Sequence, residues 1–203
     1  MIVIIDYGVG NVKSVTNAVR YIGCETKVSC DPVDIEAADG ILLPGVGASG
    51  YAMEKLGPLA DVICDIAKGG KPLLGVCVGY QILFDESHEY GVHKCLGLVE
   101  GKVIPIPVGR IIPHMGWNYV KFGEKMELFS GMGEGRHFAF AHSYYADITD
   151  PDAVVAYTDY DMDIAASVQK GNIFGCQFHP EKSGADGLEV LRNFEKFCKG
   201  VKC

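Results

Sequence analysis

Short apolar runs alternate with longer amphipathic segments along the first 90 residues, and this alternation constrains the fold more than any other feature. The runs are rich in β-branched or aliphatic residues and are bounded by turn residues, as strands are. They predict four strands, at 2–6, 25–30, 40–45 and 72–77. Between them, apolar residues recur at helical spacing, as in segment 11–23. The sequence therefore predicts an α/β fold with a doubly wound, mostly parallel sheet flanked by helices.

The pattern changes beyond residue 95, where short apolar runs are separated by Gly, Pro, Asn and Asp. These runs predict antiparallel hairpins added to the sheet in the C-terminal half. They occupy 97–107, 110–122, 136–148, 153–161, 164–172 and 173–179. Segment 186–200 predicts a closing amphipathic helix. At 203 residues and 48% hydrophobic composition, we expect a single domain over residues 1–203.

Charge and cysteine usage exclude several classes of partner. The 18 basic and 26 acidic residues give a net charge of −8, and no basic block interrupts the chain. A protein that binds a nucleic-acid backbone or an anionic membrane needs a positively charged surface, so neither is expected as a partner. The eight cysteines include no CxxC pair, which predicts a reducing, cytoplasmic setting and no metal site. The start of the chain reads as a first strand and not as a signal peptide.

The sharpest local motif is Gly75-Val76-Cys77-Val78-Gly79, at the end of the apolar fourth strand. A nucleophile between two such glycines is typical of a tight turn from strand to helix, which exposes the side chain at the carboxyl edge of the sheet. The start of the following helix would then stabilise a thiolate at Cys77. From the pentapeptide alone, a buried packing cysteine is an equal alternative.

A thiol nucleophile needs a base, and the base needs a group that orients it. His179 is the best placed of the six histidines, since an apolar run stops there and Pro180 follows. Glu181 lies two residues further on, and the alternation of side chains along a strand end would point it the same way. Taken alone, His-Pro-Glu is more simply a turn with a solvated glutamate. The conjunction with Cys77 makes the catalytic interpretation the stronger one.

Glycine-rich loops follow the first and third strands. Loop 42–50 could turn backbone N–H groups toward an oxyanion, although an ordinary turn explains its glycines equally well. Loop 6–11 lacks the third glycine of a dinucleotide fingerprint, so no cofactor is expected there.

His88 and His93 lack a third ligand for a metal. Trp117 is the only tryptophan, and it is a candidate for an interaction surface.

Taken together, these motifs resemble a known family. "GVCVGYQILF" and "FHPEKSG" are similar to the class I (triad) glutamine amidotransferases. "DYGVGN", "LPGVGASGYAM", "PHMGWN" and "AHSYY" resemble, within that family, the glutaminase subunits of imidazole glycerol phosphate synthases. The resemblance runs from Met1 to the last helix. It implies that Cys77 attacks the glutamine side-chain amide, His179 relays the proton to leaving ammonia, and Glu181 orients His179.

The resemblance also implies a substrate pocket and a partner. The oxyanion strand would be Gly45, Val46 and Gly47, and the rest of the pocket would be Gly79, Gln81, Glu89, His142, Ser143 and Tyr144. The partner would be a separate (β/α)8-barrel cyclase subunit, which uses the ammonia to make imidazole glycerol phosphate and an aminoimidazole carboxamide ribotide in histidine biosynthesis. The docking face would include Asn11, Trp117, Asn118 and Lys182. No cofactor is implied.

Three alternatives remain open at this point. A paralogous glutaminase subunit could supply ammonia for sugar amidation with its own barrel, because Ala139, Ala141 and Gly184 depart from the usual residues near the expected contact. Another cysteine hydrolase could use the same scaffold, although "PHMGWN" and "PEKS" speak against it. A non-catalytic scaffold subunit would be expected to have lost Cys77, His179 or Glu181.

Overall fold

A computed structural model describes residues 1–107, 109 and 111–200. It contains thirteen strands within these residues, listed here in chain order: β1 (Ile2–Ile5), β2 (Thr26–Ser29), β3 (Gly40–Gly45), β4 (Leu73–Cys77), β5 (Glu86–Ser87), β6 (His93–Lys94), β7 (Gly101–Pro105), β8 (His114–Lys121), β9 (Gly135–His142), β10 (Tyr144–Ile148), β11 (Val154–Asp159), β12 (Asp163–Lys170) and β13 (Ile173–Cys176). The helices are α1 (Val12–Tyr21), α2 (Pro32–Ala37), α3 (Ser49–Leu56), α4 (Leu59–Lys68), α5 (Val78–Gln81) and α6 (Gly184–Gly200). Short 3-10 turns cover Glu127–Phe129 and Pro180–Lys182.

Nine strands form one sheet in the order β2-β1-β3-β4-β13-β12-β11-β8-β9. The first five are parallel, and every pair from β13 onward is antiparallel. Helices α1 and α6 contact each other, whereas α2 and α3 each contact α4. The predicted α/β fold, a mostly parallel sheet flanked by helices with antiparallel strands added in the C-terminal half, is confirmed.

Burial of β1, β3 and β4 explains why the parallel part of the sheet forms where the sequence predicts it. All their residues are buried, as is typical of parallel strands covered on both faces. Because parallel strands all end at one edge of the sheet, the loops that follow β1, β3 and β4, after residues 5, 45 and 77, lie at the same edge. In the part of the chain that the structure describes, no helix is long and apolar enough to cross a membrane.

The structure corrects the sequence prediction in the C-terminal half. β7 and β10 do not extend the main sheet: they pair with each other in a second, four-stranded sheet of order β10-β7-β5-β6. β13 is antiparallel only to β12, because its other neighbour is β4, to which it is parallel. The helix predicted after Cys77 ends at Gln81, and α2 forms where none was predicted. The predicted strand 110–122 begins at Arg110, which lies outside the described residues.

Candidate active site

The strand-to-helix turn at Cys77 has the backbone that its glycines suggest. β4 ends at Cys77, which adopts φ +56° and ψ −109°, and α5 begins at the next residue. A Cβ on Gly79 would lie 1.9 Å from the Leu43 carbonyl oxygen, and one on Gly75 would lie 2.5 Å from the Gly79 oxygen. Only glycine fits at either position, so the sharp turn depends on both. It places the Cys77 side chain, which is 5% exposed, at the carboxyl edge of the sheet.

His179 and Glu181 meet just beyond β13, the strand next to β4. His179 Nδ1 lies 2.9 Å from Glu181 Oε1, and both side chains are buried. The contact does not arise from alternation along a strand, because residues 180–182 form a 3-10 turn. The backbone N–H of His179 donates to the Ala139 carbonyl, and Ser183 Oγ donates to the backbone carbonyl of His179 at 2.6 Å. The turn is therefore anchored to β9 and holds the imidazole in one place.

Charge and burial act on His179 in opposite directions. Burial lowers its pKa, but hydrogen bonding to Cys77 and Glu181 and the charges of those two groups raise it, to about 9 overall. His179 is therefore an imidazolium at neutral pH, beside both a sulfur and a carboxylate. Glu181 Oε2 is buried and has no hydrogen-bond partner among the residues that the structure describes. The contact through Oε1 is thus what orients the ring.

A cavity of about 430 Å³ opens in front of Cys77 and His179. Most residues expected in the glutamine pocket line it, together with one from the expected docking face: Val46, Gly47, Gln81, Glu89, His142, Ser143, Tyr144 and Lys182. Gly45 and Gly79 instead lie behind the wall, where each allows a close backbone approach: a Cβ on Gly45 would lie 2.6 Å from the Gly79 nitrogen. Residues from both halves of the chain thus converge on one site.

Four further residues line this cavity without having been expected in the site: Tyr90, Pro113, Met115 and Ala141. Val78, whose backbone N–H follows the nucleophile, lines it as well. Two buried polar residues behind the wall were also missed. Ser49 donates its backbone N–H to Glu89 Oε2 at 2.7 Å and its hydroxyl to Gln81 Oε1 at 3.3 Å. Gln177 directs its amide nitrogen to Cys77 Sγ at 3.9 Å. A glutamine inside the apolar run "IFGCQFH" must find partners when it is buried, and that is the signal that could have indicated it.

Two buried histidines, His114 and His142, contact each other, and His142 lines the cavity. His114 Nδ1 and His142 Nε2 are 2.9 Å apart, and His142 Nδ1 lies 2.8 Å from the Tyr144 carbonyl oxygen. A carbonyl only accepts, so His142 carries its proton on Nδ1 and His114 donates to His142 Nε2. Burial lowers the pKa of both side chains to about 4. Both rings are therefore neutral at pH 7.

The four residues expected on a docking face differ in exposure and in their contacts. Trp117 is 59% exposed on β8, and Lys182 is exposed at the rim of the cavity. Asn118, one residue along from Trp117, points the other way and donates to the Asp159 carbonyl at 2.8 Å. Asn11 caps α1, where its Oδ1 accepts from the Ser14 N–H. Their part in docking stays a prediction.

Comparison with known proteins defines the class first. The class-I glutamine amidotransferase family model matches residues 3–197, and the chain belongs to that family. A solved glutamine amidotransferase superposes with a TM-score of 0.77 at 20% identity, covering 97% of this chain and 98% of that one. PurLQS from Thermotoga maritima gives a TM-score of 0.73 at 24% identity, with 97% of each chain covered. At these identities the two structures show the fold alone.

Curated relatives then define the subfamily. The chain is 51% identical over 195 residues to imidazole glycerol phosphate synthase subunit HisH of Methanothermobacter thermautotrophicus, covering 96% of this chain and 97% of the relative. It is 45% identical over 200 residues to the HisH subunit of Methanosarcina acetivorans, covering 97% and 98%. It is therefore a HisH-type glutamine amidotransferase, an enzyme. This favours the imidazole glycerol phosphate synthase interpretation over sugar amidation and over a non-catalytic scaffold.

Proposed function

We propose that this chain hydrolyses glutamine through Cys77, His179 and Glu181 and passes the ammonia to a (β/α)8-barrel cyclase subunit. The observation that carries the proposal is the convergence, in one cavity, of the strained Cys77 turn with the buried His179–Glu181 pair. The cavity is large enough for an amino-acid substrate. Its wall contains carboxamide, carboxylate and backbone groups suited to an amino acid's charged end.

The proposed reaction has two steps: formation of a thioester at Cys77 with release of ammonia, and hydrolysis of that thioester to glutamate. The Cys77 thiolate attacks the carboxamide carbon of glutamine, and the His179 imidazolium protonates the departing nitrogen, which leaves as ammonia. His179 then takes a proton from water, whose oxygen attacks the thioester and releases glutamate. Its pKa of about 9 supports the first step, because the ring carries the proton that the leaving group needs. Glu181 balances the imidazolium charge and keeps Nε2 toward the sulfur.

The tetrahedral intermediate requires N–H donors near Cys77. We propose that these come from Val78, which follows the nucleophile, and from Val46 and Gly47, which also line the cavity. Gly47 has φ +83°, a conformation that side chains rarely adopt, and Val46 is 40% exposed at the cavity wall. A peptide rotation at this glycine-rich segment would exchange a carbonyl for an N–H facing the substrate. Such a gate would restrain wasteful hydrolysis until the cyclase subunit is bound.

An apolar surface beside the cavity supports docking of a second subunit. Met115, Trp117 and Tyr119 alternate along the outer side of β8 and are 71%, 59% and 43% exposed. In the β8–β9 register, Met115 lies opposite Ala141 and Trp117 opposite Ala139, so small neighbours leave the large side chains uncovered. Exposed tryptophan and tyrosine are enriched at interaction hot spots. We propose that the barrel covers this surface and the mouth of the cavity.

The test combines Cys77→Ser with the co-purified cyclase subunit. Glutamine-dependent synthesis of imidazole glycerol phosphate should fall by about 1,000-fold or more, because a serine hydroxyl is a far weaker nucleophile at this site. Synthesis from added ammonium salts should stay unchanged, since the barrel needs only ammonia. The wild-type chain without the barrel should show little glutaminase turnover. Unchanged use of glutamine by Cys77→Ser would overturn the proposal.

A further inference from the structure

Two glutamine side chains lie one behind the other between the cavity wall and the Cys77 sulfur. Gln81 and Gln177 are 3% and 0% exposed. Inside a protein, each carboxamide N–H and C=O needs a partner, because burying one unpaired is costly. The direction in which each amide donates is therefore set by its neighbours.

The Tyr144 carbonyl sets the direction of the whole chain of hydrogen bonds. This oxygen only accepts, so Gln81 Nε2, at 3.2 Å, must be the donor. Gln81 Nε2 also donates to Gln177 Oε1 at 2.9 Å, which fixes that end of Gln177 as the acceptor. The other end, Nε2, consequently faces Cys77 Sγ at 3.9 Å with its N–H groups. The Ser49 hydroxyl completes the arrangement by donating to Gln81 Oε1 at 3.3 Å.

We propose that Gln177 is a further catalytic residue, whose amide N–H donates to the Cys77 thiolate, and that Gln81 and Ser49 are positioning residues that set its orientation. The inference rests on the proposed role of Cys77 as nucleophile. A donor beside the sulfur stabilises its anionic form, and α5, at four residues, is too short to supply much of a helix dipole. His179 and Gln177 would then hold the sulfur from two directions.

The arrangement links substrate binding to the nucleophile. Gln81 lines the cavity, where glutamine is proposed to bind, and it is one hydrogen bond away from Gln177. A substrate group that hydrogen-bonds to Gln81 must therefore leave the Gln81 N–H free to donate to Gln177 Oε1. The 3.9 Å separation from the sulfur is long for a hydrogen bond, as it often is before substrate is bound.

The test measures the sulfur directly in the full-length chain. The rate of Cys77 alkylation by iodoacetamide is followed against pH, with the modified peptide quantified by mass spectrometry. In Gln177→Leu, which keeps the shape and removes the donor, the midpoint of the profile should rise by about one pH unit. Gln177→Met fills the same space with a more adaptable chain and should give the same shift if the leucine variant does not fold. Ser49→Ala should shift the midpoint in the same direction by less.

Gln169→Leu is the matched control. Its Oε1 accepts from the Glu127 N–H, away from the cavity, so the midpoint should not move. Unchanged midpoints in the folded Gln177 variants, or an equal shift in the control, would overturn the proposal, because a merely structural glutamine affects stability and not the sulfur. An unchanged Ser49→Ala profile would remove the positioning role of Ser49. Alkylation reports on the sulfur whether or not glutamine is the substrate, so failure of the proposed function would appear separately, in the Cys77→Ser assay.

Discussion

Acid should destabilise this protein through the buried pair His114–His142. Both side chains have a pKa of about 4 in the folded chain, because burial disfavours their charged form, against about 6.5 when unfolded. Between these values the unfolded state binds more protons, so stability is present above pH 6.5 and is lost as pH falls toward 4. From pH 7 to pH 5, each histidine should reduce the free energy of unfolding by about 2 kcal/mol.

His114→Phe separates this pair from every other acid-sensitive group. The His114 ring is stacked between Phe140 and Tyr160, with centroids at 4.7 and 4.0 Å, so phenylalanine can occupy the same position. The variant keeps His142 and removes one titrating group. Its loss of stability between pH 7 and pH 5 should therefore be smaller than that of the wild type by about 2 kcal/mol. His179 shifts in the opposite sense, but it is common to both proteins and cancels in the difference.

Urea unfolding at the two pH values provides the measurement, with His137→Phe as control because His137 is exposed. The control should lose as much stability in acid as the wild type. An equal acid loss in His114→Phe and wild type would refute the reasoning, since it would mean that the buried ring does not resist protonation.

Three further substitutions test other parts of the site. Gly79→Ala should lower the free energy of unfolding, measured in urea, by about 3 kcal/mol or more, because the new Cβ would lie 1.9 Å from the Leu43 oxygen. Gly200→Ala is its control and should lower it little, because there is open space around Gly200. Tyr7→Phe should lower the free energy of unfolding by about 1–2 kcal/mol, because it removes the 2.9 Å hydrogen bond from the Tyr7 hydroxyl to the Pro44 carbonyl. Its control is Tyr21→Phe, at an exposed tyrosine, which should be as stable as the wild type. Glu181→Gln should reduce glutaminase kcat of the complex by about 100-fold or more and move the alkaline limb of its pH profile to lower pH, because Glu181 raises the pKa of His179. An unmoved alkaline limb, or a Gly79→Ala or Tyr7→Phe variant as stable as its control, would contradict the corresponding assignment.

The parallel half of the fold was predictable because its signals are local. β1, β3 and β4 are continuous apolar runs, and Gly75 and Gly79 bracket a nucleophile at a strand end. The separate sheet that contains β7 and β10 was not predictable, because a short, partly buried strand has the same sequence pattern in either sheet. Only its pairing partner, set by tertiary packing, distinguishes the two.

The site divides in a similar way. Cys77, His179 and Glu181 stand in motifs with a recognisable reason for each residue. The structure brings Cys77 and His179 to one cavity, and Glu181 lies 2.9 Å from His179 Nδ1. Ser49 and Gln177 were missed because their partners are 32 and 100 residues away in the chain. Gly45 and Gly79 each allow a close backbone approach, which the sequence does not reveal because a glycine required for close packing looks the same as one that exposes its backbone. Their part in substrate binding stays a prediction.

The two missed residues and Gln81, which was predicted, share a physical property that explains their tolerance of burial. Ser49, Gln81 and Gln177 are nearly inaccessible, and each hydrogen bond among them has one direction set by the Tyr144 carbonyl. Reversing one amide would place two acceptors or two donors face to face, at a cost comparable to that of an unsatisfied buried group. The network therefore has one low-energy arrangement, and that arrangement turns an N–H toward the sulfur. Polar groups that would otherwise weaken the core thus stabilise the state of Cys77 that the proposed reaction requires.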